Sequence, residues 1–316
     1  MPADTVTLAQ ISDVHLGPLP PIPLHLLNLK RITGFLNWHR KRRFMHRTAT
    51  ANLLAADVVA QQPTHIAVTG DLANIGLPSE IERAALWLRR LGPPDIVSVI
   101  PGNHDIYSSI DGRNVGTAAL SSWRAYMAPN AEGARYGDPS TPFPFVRAVR
   151  QGTMAVALIG LNSAVETPPL IAIGRLGDAQ LKALAGILDA TRSDQLVRVV
   201  MLHHPPFPGG AGPHHELTDA AALAEVLARH GAELVIHGHN HKRSISYGDG
   251  AHGRIPVVGI PSASIAKPTP HGDDLARAHF FSFASGGRDA PARITLVARG
   301  WAETGGPIVE LERRPL

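Results

Sequence analysis

Short runs of Val, Ile and Leu alternate with longer stretches of helical pattern through most of the chain. The apolar runs predict buried strands at residues 6–12, 65–70, 95–102, 154–161, 197–203 and 233–238. The helical patterns lie between them, at residues 46–62, 79–91, 177–190 and 218–230. This alternation is typical of α/β proteins and predicts sheets that are largely parallel and buried on both faces.

The pattern changes after residue 254, where strands follow one another with only turns between them. We therefore predict two packed sheets in a single domain over residues 1–316. Two helix starts carry plausible caps: Ser79 is followed three residues later by Glu82, and Thr218 is followed by Asp219. The Pro- and Gly-rich stretches at 129–144 and 204–216 predict surface loops.

Composition narrows the class of protein. The 316 residues are 44% hydrophobic, which supports a large core, yet no apolar run approaches the ~18 residues that span a bilayer. The first residues lack the pattern of a secretory signal, which favours a cytoplasmic protein. The absence of cysteine excludes disulfides, thiol catalysis and thiolate metal ligands. A net charge of +4 is compatible with an anionic partner without identifying one.

Polar residues cluster at the carboxyl ends of five predicted strands. The clusters are Asp-x-His at 13–15, Gly-Asp at 70–71, Gly-Asn-His-Asp at 102–105, His-His at 203–204 and Gly-His-Asn-His at 238–241. Each motif alone is common in ordinary turns. Ligands of α/β sheets bind outside the carboxyl ends of strands, so five such clusters in order predict one shared site.

The residue types at these strand ends predict a metal site. Carboxylate and amide oxygens mixed with imidazole, without thiolate, suit Mn, Fe, Zn or Co. There are too many candidate ligands for one ion, which favours two ions that share a carboxylate. The seven candidates are Asp13, His15, Asp71, Asn103, His203, His239 and His241.

The same motifs, in the same order, resemble the calcineurin-like metallophosphoesterase superfamily. The resemblance runs from residue 6 to about residue 265. It is greatest to the bacterial branch that contains class III cyclic-nucleotide phosphodiesterases and glycerophosphodiesterases. It implies a four-layer αββα sandwich with two mixed β-sheets. It also implies hydrolysis of phosphodiester bonds by in-line attack of a metal-bridging hydroxide.

The resemblance also assigns roles to individual residues. The first metal ion would be held by Asp13, His15 and His241. The second would be held by Asn103, His203 and His239. Asp71 would bridge the two ions. His104 would face the substrate, stabilise the developing charge and protonate the leaving oxygen, with Asp105 orienting its ring.

Several further candidates have weaker support. Asn74 and His204 are possible substrate contacts, although Asn74 could equally cap a helix. His203 is preferred over His204 as the ligand because it directly follows the strand. His214 and His215 lie in a surface loop that could border the pocket, but an exposed pair is the simpler interpretation.

A basic, leucine-rich insertion over residues 17–47 separates the Asp-x-His motif from the first long helix. The simplest interpretation of residues 21–47 is a helix that covers the sandwich with its basic end in water. The alternatives are an amphipathic anchor on an anionic membrane surface or a lid over a substrate with an acyl tail. Nucleic acid ranks third, since the chain has one basic cluster and few aromatic residues.

We therefore expect a metal-dependent phosphoesterase that acts on cyclic or small nucleotide diesters, with two ions of Mn, Fe or Zn. A membrane-associated lipid phosphodiesterase or pyrophosphohydrolase is the alternative, which would place the protein at the inner membrane face. A non-catalytic metal-binding scaffold is the second alternative. The sequence leaves the metal identity, the physiological substrate and the oligomeric state open.

Overall fold

The computed structural model describes residues 4–108, 116–268, 274–286 and 292–316, which form two six-stranded sheets with helices. The strands of the first sheet, in spatial order, are β12 (Ile308–Pro315), β11 (Arg293–Trp301), β10 (Arg277–Ala284), β1 (Thr5–Ile11), β2 (His65–Val68) and β3 (Val97–Val99). Those of the second are β4 (Phe145–Gln151), β5 (Met154–Gly160), β6 (Val197–Met201), β7 (Leu234–His237), β9 (Gly253–Gly259) and β8 (Ser244–Gly250).

Both sheets are mixed, with a parallel part that supports the polar clusters. β1, β2 and β3 run parallel in the first sheet, and β5, β6, β7 and β9 run parallel in the second. β10, β11 and β12 pair antiparallel on one side of β1, and β4 and β8 pair antiparallel at the two edges of the second sheet. The prediction of a four-layer αββα sandwich with two mixed sheets is confirmed, while the extent of the domain over 1–316 stays a prediction.

The helices lie over the outer faces of the sandwich. The four long helices are α3 (Thr48–Ala60), α4 (Pro78–Leu91), α5 (Asp178–Ser193) and α6 (Ala220–His230). α3 and α4 share a core with the first sheet, and α5 and α6 cover the second. In β5, Val156 and Leu158 face the first sheet, whereas Ala157 and Ile159 pack beneath the helices. This period of two explains why the strand is apolar throughout.

The predicted capping of two helices is wrong in detail. α4 begins at Pro78, and Glu80 rather than Glu82 accepts hydrogen bonds from the N–H groups of Ile75 and Leu77. At α6, Asp219 makes no side-chain cap and accepts instead from the N–H groups of Leu176 and Gly177. Both carboxylates thus fix neighbouring loops.

Residues 24–47 form an irregular helical segment over the carboxyl ends of the first sheet. It comprises a 3₁₀ turn (Leu24–Leu26), α1 (Leu29–Asn37), a π-helical turn (Trp38–Arg42) and α2 (Arg43–Met45). None of the helices in the described ranges combines the length and apolar character needed to cross a lipid bilayer.

Candidate metal centre

Five loops at the carboxyl ends of the parallel strands meet in one place. Backbone hydrogen bonds join them: the N–H of Asp13 donates to Gly70 O (2.9 Å), that of His15 to Asp71 O (3.0 Å) and that of Gly238 to His203 O (3.1 Å). The seven candidate ligands therefore come together from distant parts of the chain, as the strand order predicts.

Their ligand atoms form two neighbouring groups. Asp13, His15 and His241 make one group, and Asp13, Asp71 and His203 make the other, with the atoms of each group within 4.8 Å of one another. His241 Nε2 lies 3.2 Å from Asp13 Oδ1. Asp71 Oδ2 lies 3.4 Å from His203 Nε2 and 3.8 Å from His15 Nε2, so this carboxylate contacts both groups.

Asn103 and His239 complete the second group. Asn103 Oδ1 lies 3.2 Å from His203 Nε2 and 3.0 Å from His239 Nδ1. An amide oxygen, a carboxylate and two imidazoles therefore converge on this side of Asp71. This mixture suits divalent transition metals.

The hydrogen bonds behind the cluster leave its inner atoms free for a cation. His15 Nδ1 donates to Ala73 O (3.0 Å) and His203 Nδ1 donates to Thr69 O (2.7 Å), which points the Nε2 atoms of both rings inward. Backbone carbonyls behind imidazole ligands orient the rings of metal sites in this way. The buried Asp13 Oδ1 accepts no hydrogen bond from the described residues, as expected of an oxygen that binds a cation. The donor set therefore fits metal ions.

The backbone at the cluster is strained. Nine non-glycine residues in the described ranges have positive φ, and five of them are candidate ligands, namely Asp13, His15, Asp71, His239 and His241. Such backbone is costly for residues with a Cβ and concentrates at functional sites. A side chain at Gly102 would collide with the carboxylate of Asp71, so only glycine allows the two loops to approach this closely.

The charges of the cluster favour the binding of a cation. Burial alone would raise the pKa of Asp71, but the imidazoles of His203 and His104 hold it well below its usual range. Burial lowers the pKa of His203, yet Asp71 and its hydrogen bond raise it to about 9. Burial lowers the pKa of His15 well below its usual value, so this ring is neutral and available as a ligand.

His104 lies at the edge of the cluster, and Asp105 does not orient its ring. His104 Nδ1 donates a short hydrogen bond to Asn74 O, which leaves Nε2 as the outward nitrogen. Both oxygens of Asp105 are taken by backbone N–H groups, those of Asp71, Leu72, Ala73 and Gly102. The predicted orienting role of Asp105 is therefore wrong, because the tight turn points its carboxylate into the protein.

The two weaker substrate contacts are also wrong. His204 is fully buried, with its Nδ1 2.8 Å from Ser163 Oγ and its Nε2 3.2 Å from Ala172 O. Asn74 is buried as well, and its amide donates to Leu16 O and to Glu80. Neither side chain can contact a substrate, so both serve to hold the loops around the site.

Three residues near the cluster were not assigned by the sequence. Arg42 reaches it from the π-helical turn, and His46 packs against the rings of His15 and His241 at centroid distances of 4.6 and 5.3 Å. The ring of His215 lies 5.8 Å from that of His239, so its loop does border the site. The expectation that the basic end of residues 21–47 lies in water is therefore wrong for Arg42.

Comparisons with known proteins place the chain in a family. The Calcineurin-like phosphoesterase family model matches residues 6–243. A probable cyclic nucleotide phosphodiesterase of Synechococcus sp. is 26% identical, with 85% of this chain and 84% of that protein covered.

Two solved structures share the fold. A dimetal phosphatase from Danio rerio has a TM-score of 0.58 and 16% identity over 98% of this chain and 99% of its own. A purple acid phosphatase from yellow lupin (Lupinus luteus) has a TM-score of 0.56 and 12% identity, over 98% of this chain but 53% of its own. The family match covers most of the residues that build the metal centre, and the chain therefore belongs to the calcineurin-like phosphoesterase family.

Proposed function

We propose that the protein hydrolyses phosphodiester bonds with two metal ions held at the candidate metal centre. The observation that carries the proposal is the pair of neighbouring ligand groups that share Asp13, with the carboxylate of Asp71 close to an imidazole of each. Phosphoester hydrolysis agrees with the family. The preference for diesters is supported by the relative that is a probable cyclic nucleotide phosphodiesterase.

We assign the candidate ligands to the two metal ions as follows. Asp13, His15 and His241 would hold one ion, Asn103, His203 and His239 the other, and Asp71 both. When bound, the ions activate water and neutralise charge on the phosphoryl group.

His104 is the group best placed to act on the leaving oxygen. Its Nδ1 proton is committed to Asn74 O, so Nε2 is the atom that would carry a proton to that oxygen. Burial, together with the cation of Arg42, lowers the pKa of His104 to about 3. A phosphoryl anion beside the ring would oppose this shift.

The experiment compares wild type with His104→Ala on diesters that carry p-nitrophenyl or alkyl leaving groups, after removal and restoration of Mn, Fe or Zn. We expect wild-type turnover that chelation abolishes and that is faster on diesters than on monoesters. His104→Ala should retain both metals and lose about 10²–10⁴-fold in rate on alkyl esters. The loss should be smaller for p-nitrophenyl esters, since that leaving group needs no proton.

As the control, elemental analysis of each sample shows whether both metal ions are bound. Faster turnover of monoesters would replace the proposal with a phosphomonoesterase. Absence of turnover on every ester with both metals bound would favour a non-catalytic scaffold. Equal losses on the two leaving groups would leave His104 a charge-stabilising role only.

A second candidate function, hydrolysis of an ester presented at an anionic lipid surface, is supported by the orientation of α1. The charged residues Lys30 and Arg31 of this helix are buried, whereas Leu29, Ile32 and Leu36 are 67%, 42% and 43% exposed. Leu24, which precedes the helix in the sequence, is 84% exposed, and Phe44, which follows it, is 53% exposed. A helix that faces its apolar side to water beside an active site is unusual for a soluble protein and typical of an interfacial surface.

Exposed cations accompany these apolar residues. Arg40, Lys41 and Arg43 are exposed next to α1. Anionic lipid headgroups attract such cations at about 1 kcal/mol each, while the leucines would insert below the headgroups.

Co-sedimentation with vesicles tests this candidate. We expect wild type to bind vesicles containing phosphatidylglycerol, to ignore pure phosphatidylcholine and to dissociate in high salt. The variants Leu29→Gln/Ile32→Gln/Leu36→Gln and Arg40→Gln/Lys41→Gln/Arg43→Gln should each lose binding and keep turnover of a soluble diester. Leu53→Gln/Leu86→Gln is the matched control, because these leucines are 60% and 57% exposed on α3 and α4. Wild type that stays in the supernatant with both vesicle types would exclude the membrane candidate.

A further inference from the structure

Arg42 is the one residue of the 40–43 basic run whose side chain enters the metal centre. Its Nη1 lies 3.2 Å from His104 Nδ1, and its Nη2 lies 3.4 Å from His15 Nε2. It ends the π-helical turn Trp38–Arg42. Turns of this kind are rare and occur frequently at functional sites.

The guanidinium has no anionic partner within the described residues. Its polar contacts there are the two imidazole nitrogens, and none of the ion pairs in those ranges includes it. Arg42 is half-buried. A guanidinium that lies against two imidazoles and has no carboxylate partner keeps donors free for an anion, so its position calls for an anion that completes the site.

The backbone that carries Arg42 is firmly anchored at the start of the helix. Lys30 Nζ donates to Thr167 Oγ1 (2.7 Å), and Arg31 donates to Leu26 O (2.9 Å) and Ser108 O (3.2 Å). A side chain at Gly34 would collide with the hydroxyl of Tyr107, so α1 lies directly on the loop that follows His104.

The end of the segment is anchored as well. His46 Nδ1 lies 2.8 Å from Ser264 Oγ, and the N–H of Arg47 donates to Ser264 O (2.8 Å). Ser262 Oγ, from the same loop, donates to the backbone oxygen of Asp13 (2.6 Å). The fold therefore holds Arg42 between two fixed points that also hold the metal ligands.

We propose that Arg42 binds the phosphoryl group of the substrate, as a substrate-binding residue supplied by the 17–47 insertion. This rests on the proposed function. The planar fork of a guanidinium pairs with two phosphoryl oxygens, which a lysine cannot do. Because a bound metal ion would occupy His15 Nε2, the guanidinium would turn away from that ring and towards the phosphoryl oxygens. Because Arg42 lies beside the ring of His104, both groups would border the same phosphate.

Binding of orthophosphate to the metal-loaded protein, measured by titration calorimetry, tests the proposal without turnover. We expect Arg42→Gln to weaken orthophosphate about 10- to 100-fold, the usual loss for a hydrogen bond between charged groups. Arg42→Lys should lie between wild type and Arg42→Gln. Metal content and melting temperature should stay unchanged. The matched control is Arg43→Gln, because the side chain of Arg43 contacts only the half-buried His39 and the ring of Phe44 among described residues.

Steady-state kinetics on a soluble diester adds a second readout. Removal of a contact that is made equally with substrate and transition state raises KM alone, whereas removal of one made only in the transition state lowers kcat. Orthophosphate affinity that is unchanged in Arg42→Gln, or a wild type that binds no orthophosphate with both metals in place, would overturn the proposal. Loss of metal from Arg42→Gln would also overturn it, in favour of a role in building the centre. A wild type that binds orthophosphate but cleaves no ester would contradict the proposed function and leave the Arg42 contact standing.

Discussion

Asp71→Ala is expected to abolish ester turnover and to leave fewer than two tightly bound metal ions per chain. Asp71 Oδ2 lies within 3.4 Å of His203 Nε2 and 3.8 Å of His15 Nε2, so it contacts one imidazole from each ligand group. Its other oxygen accepts from the backbone N–H of His104 (2.8 Å). If Asp71 bridges the two ions, removal of its carboxylate takes a ligand from both and loosens the loop that carries His104.

Two variants separate these effects. Asp71→Asn keeps the volume and an acceptor for the N–H of His104, so it should fold normally and still lose metal. Asp13→Ala serves as the comparison, because Asp13 also belongs to both ligand groups. If Asp71 is the bridge, Asp13→Ala should mainly empty the first position. Elemental analysis that finds two tightly held ions in an active Asp71→Ala protein would disprove the bridging assignment.

Much of this centre can be predicted from the sequence, because each candidate ligand lies close in sequence to the strand that positions it. Each of the five polar clusters directly follows a buried apolar strand, and parallel strands end at one edge of a sheet. The order of the motifs is therefore enough to bring Asp13, His203 and His241 together. The choice of His203 over His204 follows in the same way, because successive residues leave a strand in opposite directions.

The insertion shows where such reasoning fails. Helices normally turn apolar residues inward and charged residues towards water. Lys30 and Arg31 are instead buried, and backbone oxygens and Thr167 accept hydrogen bonds from them. Which of the cations at positions 40–43 enters the site depends on this inverted orientation and on the π-helical turn. Neither is visible in a run of four similar side chains.

Edge strands and hydrogen-bonding partners were equally hard to predict. β4 and β8 lie at opposite edges of the second sheet, and their sequences lack the continuous apolar run of the central strands. The sequence places Asp105 beside His104, which suggests that the two side chains interact. The turn that begins at Gly102 instead directs the carboxylate towards four N–H groups.

Asp105→Asn is expected to be one of the most destabilising single-atom changes in the protein. Asp105 Oδ2 accepts from the N–H groups of Asp71 (2.8 Å) and Gly102 (2.9 Å), and Oδ1 accepts from Leu72 (2.9 Å) and Ala73 (2.8 Å). Burial and the neighbouring Asp71 raise the pKa of Asp105 to about 7, whereas the N–H groups of Ala73 and Gly102 lower it. An asparagine has one acceptor oxygen, so its NH₂ group must face two buried N–H donors.

Each unsatisfied buried donor costs about 1–3 kcal/mol, so we expect a loss of about 2–6 kcal/mol in the free energy of unfolding. This is a large part of the ~5–15 kcal/mol that stabilises a typical domain. Chemical denaturation measures the loss. Because the freed N–H groups belong to the loops that carry Asp71 and Asn103, metal content and turnover should fall with it.

Asp219→Asn is the matched control for Asp105→Asn. Its carboxylate also accepts backbone N–H groups, those of Leu176 and Gly177, but in a loop that supplies no candidate ligand. This variant should lose stability and retain its metals. If Asp105 acted instead by orienting the His104 ring, Asp105→Asn would unfold like wild type, keep its metals and change only the dependence of rate on the leaving group. The two roles therefore predict different results for the free energy of unfolding, for metal content and for the dependence of rate on the leaving group. The comparison decides whether Asp105 holds the loops of the centre in place or takes part in its chemistry.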